Sequence, residues 1–418
     1  MQKSDRTTAL VLSGGGARGA YAVGVVSGLY EILREREGRL PLDMFSGTSV
    51  GAINAAYLAA HAEEPDLGVR SLARIWNELS LDVHLRPLFG GFARWRERLA
   101  KVPGLGRLRP ESPAARFGRS LLDPRALEEL VGGAIPWAAL DANVASGRVQ
   151  GLMVPTLDIA TGCTTVFCEL APGVVYRASK DPRRVSVSAK VRAEHVLASA
   201  AIPFLFPARR VGSHHYCDGG LRFNTPLAPP IRAGARRLIV VSLAKRREPC
   251  CAPTERQSPL PYPDPFLLGG KLLNALFLDP VVYDLHVLER TNQLLEVLQG
   301  SLSAEAYAEV EAVLSSTRGT SYQPLDVLTF SPSFDIGELA AETLRELARS
   351  SRLSGVTRLL LGALRVESRS ERESDWASYL LFDKAFATQL IERGRQDALA
   401  RAEEVLAFFG EDAEEPQP

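Results

Sequence analysis

The chain has no surplus of either charge, because 49 basic side chains cancel 49 acidic ones across 418 residues. No nucleic-acid partner is expected from such a balance. Lysine is scarce, occurring only at 3, 101, 180, 190, 245, 271 and 384. Arginine therefore carries the positive charge, a composition that fits phosphate binding and codon bias alike. The five cysteines, Cys163, Cys168, Cys217, Cys250 and Cys251, are odd in number and form no paired C-x-x-C. This argues against a disulfide framework and a structural zinc, and for a reducing compartment. The longest apolar stretch, 266–288, is broken by Lys271, Asp279, Pro280 and Asp284, so no membrane span is expected. Lys3 and Arg6 lead into Ser13-Gly14-Gly15-Gly16 without an apolar signal core, so the expected location is cytoplasmic.

What is present reads as a globular chain, with 46% hydrophobic and 23% charged residues. Its length exceeds one ordinary core and implies two domains, or one large domain with an extension. Residues 7–12 form a β-branched and apolar run ending on glycines, and 20–36 repeat apolar positions at helical spacing. A second apolar run, 40–45, passes through Gly47-Thr48-Ser49-Val50-Gly51 into a helical stretch at 50–62. Two successive β-loop-α units predict a mostly parallel sheet with helices on its faces. Further strands are expected at 151–159, 164–169 and 237–243, with a short helix at 193–201 that stops at Ile202-Pro203.

Residues 82–125 form an insertion rich in Gly and Pro, with ten Arg or Lys against four acids and with Leu85, Leu88, Phe89, Phe92 and Trp95 among them. Basic and aromatic residues together suit either a lid or a face touching an anionic bilayer, and equally a solvated insertion with packed aromatics. Residues 246–266 are rich in Pro and polar side chains and read as a linker. The following 267–410 reads as mainly helical, and 411–418 as a disordered acidic tail.

Ser49 is the residue that most needs a chemical explanation. A serine on a tight strand-to-helix turn requires small neighbours two positions away, which Gly47 and Gly51 supply, with Thr48 and Val50 beside the serine. Gly14-Gly15-Gly16-Ala17-Arg18-Gly19 puts bare backbone between a strand and a helix, where N–H groups can converge on developing negative charge. The same six residues spell the dinucleotide fingerprint G-x-G-x-x-G. Its acidic partner, however, should end the second strand, whereas Asp43 precedes the elbow. A third cluster, Asp218-Gly219-Gly220, reads on its own as a turn. A hydrolytic serine needs a base, and His61, His84, His195, His214, His215 and His286 are the usual candidates, none of them in a recognisable triad setting.

The Gly14 to Gly19 loop, the Ser49 elbow, Ala198-Ser199-Ala200-Ala201-Ile202-Pro203 with Phe206-Pro207, and Asp218-Gly219-Gly220 before Asn224-Thr225-Pro226-Leu227 resemble the patatin-like phospholipases, in that order. The resemblance covers residues 7–245 and implies a three-layer α/β/α domain, with the mainly helical C-terminal region as an extension. It implies a lipid acyl hydrolase using a Ser/Asp dyad, with no metal and no cofactor. Ser49 would be the nucleophile, Asp218 the proton acceptor, and the amides around Gly15 and Gly16, aided by Arg18, the oxyanion donors. The substrate would be a phospholipid, lysophospholipid or other acyl-ester lipid, and the basic, aromatic insertion suggests peripheral association with the inner face of the membrane as a further expectation. Two other readings stay open: an idle lipid-binding protein on the same fold, and an α/β-hydrolase ordered Ser49, Asp218, His286.

Overall fold

The computed structural model describes residues 7–37, 40–80, 83, 120, 122–245, 274–275, 279–320, 322–349 and 375–410. Most of the 82–125 insertion, including His84 and all five of its named apolar side chains, lies outside the described residues, as do the 246–266 linker and the 411–418 tail. The strands are β1 (Thr8–Leu12), β2 (Met44–Gly47), β3 (Gly151–Asp158), β4 (Thr164–Leu170), β5 (Arg184–Ser188), β6 (Arg209–Val211), β7 (His214–Asp218), β8 (Arg237–Val241) and β9 (Asp326–Phe330). The helices are α1 (Ala20–Glu37), α2 (Val50–Ala60), α3 (Pro65–Glu78), α4 (Arg125–Ala134), α5 (Trp137–Ala145), α6 (Ala193–Ser199), α7 (Gly220–Phe223), α8 (Ala228–Arg232), α9 (Asp279–Ser301), α10 (Ala304–Arg318), α11 (Ile336–Arg349), α12 (Asp375–Leu380), α13 (Lys384–Leu399) and α14 (Ala402–Gly410).

Among the described residues the strands make one sheet in the order β5-β4-β3-β2-β1-β8-β9, with β7 on β3 and β6 on β7. From β3 through β9 the neighbours are parallel, while β3 with β4, β3 with β7 and β6 with β7 are antiparallel. The central strands β1 and β8 are buried at every position, which is why Thr8–Leu12 reads as a continuous apolar run and not as an alternation. Leu10, Leu12 and Phe45 face one core with α1, α2 and α13, whereas Ala9, Val11 and Met44 face a second core closed by α8 and α9. Successive residues thus serve opposite faces, and the three-layer mixed α/β/α sandwich with a mostly parallel sheet follows.

The region after residue 245 also adds to this sheet, since β9 extends it beside β8. Helix α13 packs closely on α1, and glycines permit the approach. Side chains at Gly24 or Gly394 would overlap the carbonyls of Ile391 and Tyr21, respectively.

The sheet brings two loop ends together. Strand β2 runs parallel to β3 with Ser46 opposite Met153, and β7 runs antiparallel to β3 with Asp218 opposite Thr156. Both strands flank β3 and point at each other across Pro155 and Thr156. The residues that leave their ends, Ser49 and Asp218, therefore meet.

Candidate active site

Ser49 occupies the turn between β2 and α2 with φ 57 and ψ −127, a left-handed conformation that a non-glycine residue rarely adopts. Three features hold this strain. A side chain at Gly47 would overlap the carbonyl of Gly51, and one at Gly51 would overlap the carbonyl of Leu12, so both elbow glycines are spatial requirements. Thr48 donates its hydroxyl to the Phe223 carbonyl at 2.8 Å. The Ser49 N–H donates to Oγ of Ser199 at 2.9 Å, and Ser199 in turn donates to the Pro155 carbonyl at 2.6 Å. Ser199 is the contributor that sequence reasoning missed as an individual residue. It stands in the Ala198 to Pro203 segment, but nothing local says that its hydroxyl reaches the elbow.

Asp218 ends β7 and is fully buried. Its N–H donates to the Ala201 carbonyl at 2.9 Å, and a side chain at Gly219 would overlap the Pro155 carbonyl, so the turn is pressed against β3. Burial pushes the Asp218 carboxyl up to about 7, while the Ser49 hydroxyl beside it and the Gly220 N–H on Oδ1 at 2.7 Å partly offset the shift. Oδ2 has no partner of full hydrogen-bond geometry among the described residues, so the Ser49 contact is looser than a formed hydrogen bond. A free enzyme commonly holds its catalytic contacts this way until substrate tightens them.

The glycine-rich loop runs from β1 into a 3₁₀ turn at Gly16–Gly19 and on into α1. Gly14 sits against Ser49, and Asn224 clamps it on both sides: its side-chain amide donates to the Gly14 carbonyl at 3.0 Å and its carbonyl accepts the Gly14 N–H at 3.3 Å. Ser13 and Thr225 share a hydroxyl hydrogen bond of 2.6 Å. No hydrogen bond from the amides of Gly15 or Gly16 is formed among the described residues. Ala17 and Gly19 are buried, and Arg18 turns its guanidinium to Ser378 at 2.7 Å and over the Tyr379 ring at 4.2 Å.

From Gly16 and Ser49 an apolar cavity of about 880 Å³, open mouth included, extends between Ile53, Tyr57, Trp76 and Phe382. A volume of this order suits a small-molecule or lipid-chain site, typically about 300 to 1,000 Å³. No histidine lines it. His61 stacks on Tyr57 at 4.3 Å, His195 accepts the Arg192 N–H at 3.0 Å, His214 pairs with Asp158 at 2.8 Å, and His215 and His286 are exposed. His286 lies on α9, which contributes no residue to the cavity. Among the described residues no group of three or more His, Cys, Asp or Glu is placed to hold a metal ion.

These features define a class: a three-layer α/β protein whose elbow serine faces a buried aspartate at the head of an apolar cavity. The sequence model of the patatin-like phospholipase family matches residues 10–231, and the chain belongs to that family. A 58-residue segment is 45% identical to the lysophospholipase nte1 of Aspergillus terreus, covering 14% of this chain and 3% of that protein. Among solved structures, a human GIVD cytosolic phospholipase A2 in complex with methyl gamma-linolenyl fluorophosphonate aligns over 98% of this chain and 59% of its own, at 12% identity and a TM-score of 0.42. VipD of Legionella pneumophila aligns over 93% and 67%, at 13% identity and a TM-score of 0.32.

Proposed function

We propose that the protein is a lipid acyl hydrolase that cleaves carboxylic ester bonds of phospholipids or lysophospholipids through Ser49 and Asp218. The observation that carries this reading is the opposed approach of β2 and β7 along β3, which sets the Ser49 hydroxyl against a buried carboxyl at the head of an apolar cavity. Asp218 takes the proton as Oγ of Ser49 bonds to the ester carbonyl carbon. The resulting oxyanion is held by the Gly15 and Gly16 amides, a contribution typically worth roughly 3 kcal/mol per donor. As the C–O bond of the ester breaks, Asp218 returns the proton to the leaving alcohol. Water then attacks the acyl-serine, Asp218 takes its proton, and the fatty acid leaves as Ser49 regains a hydrogen. The acyl chain lies in the cavity throughout.

An aspartate is an adequate base here because desolvation has brought its pKa to about 7, within reach of neutral pH, from about 3.9 in water. We assign the residues that carry the chemistry to 7–245, while Tyr379, Leu380 and Phe382 from beyond it wall the cavity. The working location we propose is the cytoplasmic side of a membrane, in keeping with free thiols at Cys163, Cys168 and Cys217. The contact with lipid that we propose is peripheral; no helix among the described residues is long and apolar enough to cross a bilayer. The experiment that tests the reading is labelling with a fluorophosphonate probe alongside fatty-acid release from phosphatidylcholine and lysophosphatidylcholine. Both signals are expected to vanish in Ser49→Ala, and release in Asp218→Asn. A folded wild type that binds vesicles yet neither labels nor releases acid would point instead to an idle lipid-binding protein.

A further inference from the structure

The residues that complete the site lie far beyond the family segment, which ends at 231. At the end of α12, Tyr379 packs its carbonyl where a side chain on Gly16 would project, and Gly16 itself is left-handed with φ 57. Arg18 is only 3% exposed, and its Nε donates to the fully buried Ser378. Tyr379 also supplies the ring face over which the same guanidinium lies. The loop is tied at its other end too. The side-chain amide of Asn54 donates to the Gly19 carbonyl at 3.2 Å, Trp76 donates to Asn54 at 2.9 Å, and the Trp76 ring stacks on Phe382 at 6.0 Å and 15°. Tyr379, Leu380 and Phe382 then line the cavity that contains Ser49.

We infer that residues 377–382 are a working part of the acyl site, an inference that rests on the acyl-hydrolase reading. Ser378 acts as a positioning residue that holds the Gly15–Gly16 amides in place through Arg18, and Phe382 with Tyr379 and Leu380 determines how a long acyl chain is accommodated. The physical reason is that oxyanion donors work only when held in advance. A loop of bare glycines has no rigidity of its own, so its geometry must come from what packs on it. Here the packing comes from the C-terminal region, and the same turn that fixes the donors also walls the cavity. Arg18 thus serves the oxyanion site through its neighbours, with its guanidinium directed at Ser378 and Tyr379.

The test uses the full chain with p-nitrophenyl butyrate and p-nitrophenyl laurate. Ser378→Ala is expected to lower kcat about tenfold on both esters with KM little changed, since a donor displaced by a fraction of an ångström weakens only transition-state contacts. Ser378→Thr, which keeps the hydroxyl, is expected to recover most of the rate. Phe382→Ala is expected to shift the laurate-to-butyrate ratio of kcat/KM by about tenfold, a change that general loosening of the fold would not produce. Should Ser378→Ala fail to fold, the Phe382→Ala ratio decides alone. Wild-type kcat in a folded Ser378→Ala, or an unchanged ratio in Phe382→Ala, overturns the inference while leaving the acyl-hydrolase reading intact. A wild type that hydrolyses neither ester and takes no fluorophosphonate label overturns both.

Discussion

Asp218 carries a cost that the proposed chemistry explains. In the folded chain its carboxyl titrates near 7, against about 3.9 when unfolded and solvated. Between those values the folded form keeps a proton that the unfolded form releases, so stability falls as pH rises through that window and stays low above it. About three pH units correspond to at most about 4 kcal/mol. Asp218→Asn, uncharged at every pH, is therefore expected to raise the melting temperature at pH 8 and to change it little near pH 4, while abolishing ester hydrolysis. A melting temperature equally shifted at both values would show that burial of charge is not the cause. The wild-type kcat/KM should in turn rise with pH through about 7 and then level, because only the ionised carboxylate accepts the serine proton. Ser199 makes a second residue-level case. Its loss leaves the Ser49 N–H and the Pro155 carbonyl without their partner, so Ser199→Ala should destabilise by about 1 to 3 kcal/mol in urea unfolding and lower kcat more than KM.

At the scale of elements, the elbow works because its glycines are spatial necessities, which can be tested against a glycine that is not. Gly47→Ala would drive a methyl into the Gly51 carbonyl and is expected to cost about 3 kcal/mol or more. Gly133, inside α4 with nothing near its missing side chain, should as Ala raise stability by up to about 1 kcal/mol. Urea unfolding of the pair checks both signs. The first two β-loop-α units are legible in the sequence because a largely apolar run, broken in the second unit by Asp43, leads into a glycine-containing turn and helix spacing follows at once, although the second strand itself spans only Met44–Gly47. The strands at Gly151–Asp158, Thr164–Leu170 and Arg237–Val241 are legible because apolar and β-branched residues dominate each. Asp218 is different. Followed by two glycines it reads as a turn, and its meeting with Ser49 depends on β7 lying antiparallel on β3, a pairing between segments about 60 residues apart that no local spacing displays. Strand β5 escapes notice because its residues are partly or fully exposed, and β9 because Asp326–Phe330 stands between long helical stretches.

For the whole molecule, the question raised by the proposed function is how the apolar cavity would meet a lipid surface. Ile202 and Phe206 line the cavity, and between them Phe204 stands 82% exposed with φ 69. An exposed phenylalanine in a left-handed turn gains neither burial nor backbone ease, and a lipid surface would provide apolar contact for it. The Leu122 N–H donates to the Leu205 carbonyl at 3.0 Å, so the chain that returns from the arginine-rich insertion rejoins the fold at this same turn. An aromatic tip at the turn where a stretch basic in sequence rejoins the fold would suit an anionic headgroup layer, where the electrostatic part is screened by salt and the apolar part is not. Phe204→Ser is accordingly expected to lower the fraction bound to vesicles of mixed phosphatidylcholine and phosphatidylserine, and the residual binding should fall further as salt rises from 0.05 to 0.5 M, roughly the range over which the Debye length shrinks severalfold. Sedimentation of the protein with vesicles reads both effects, and hydrolysis of a soluble butyrate ester in the same samples separates lost docking from lost fold. Binding equal to wild type at every salt would remove this face of the molecule as the entry for lipid.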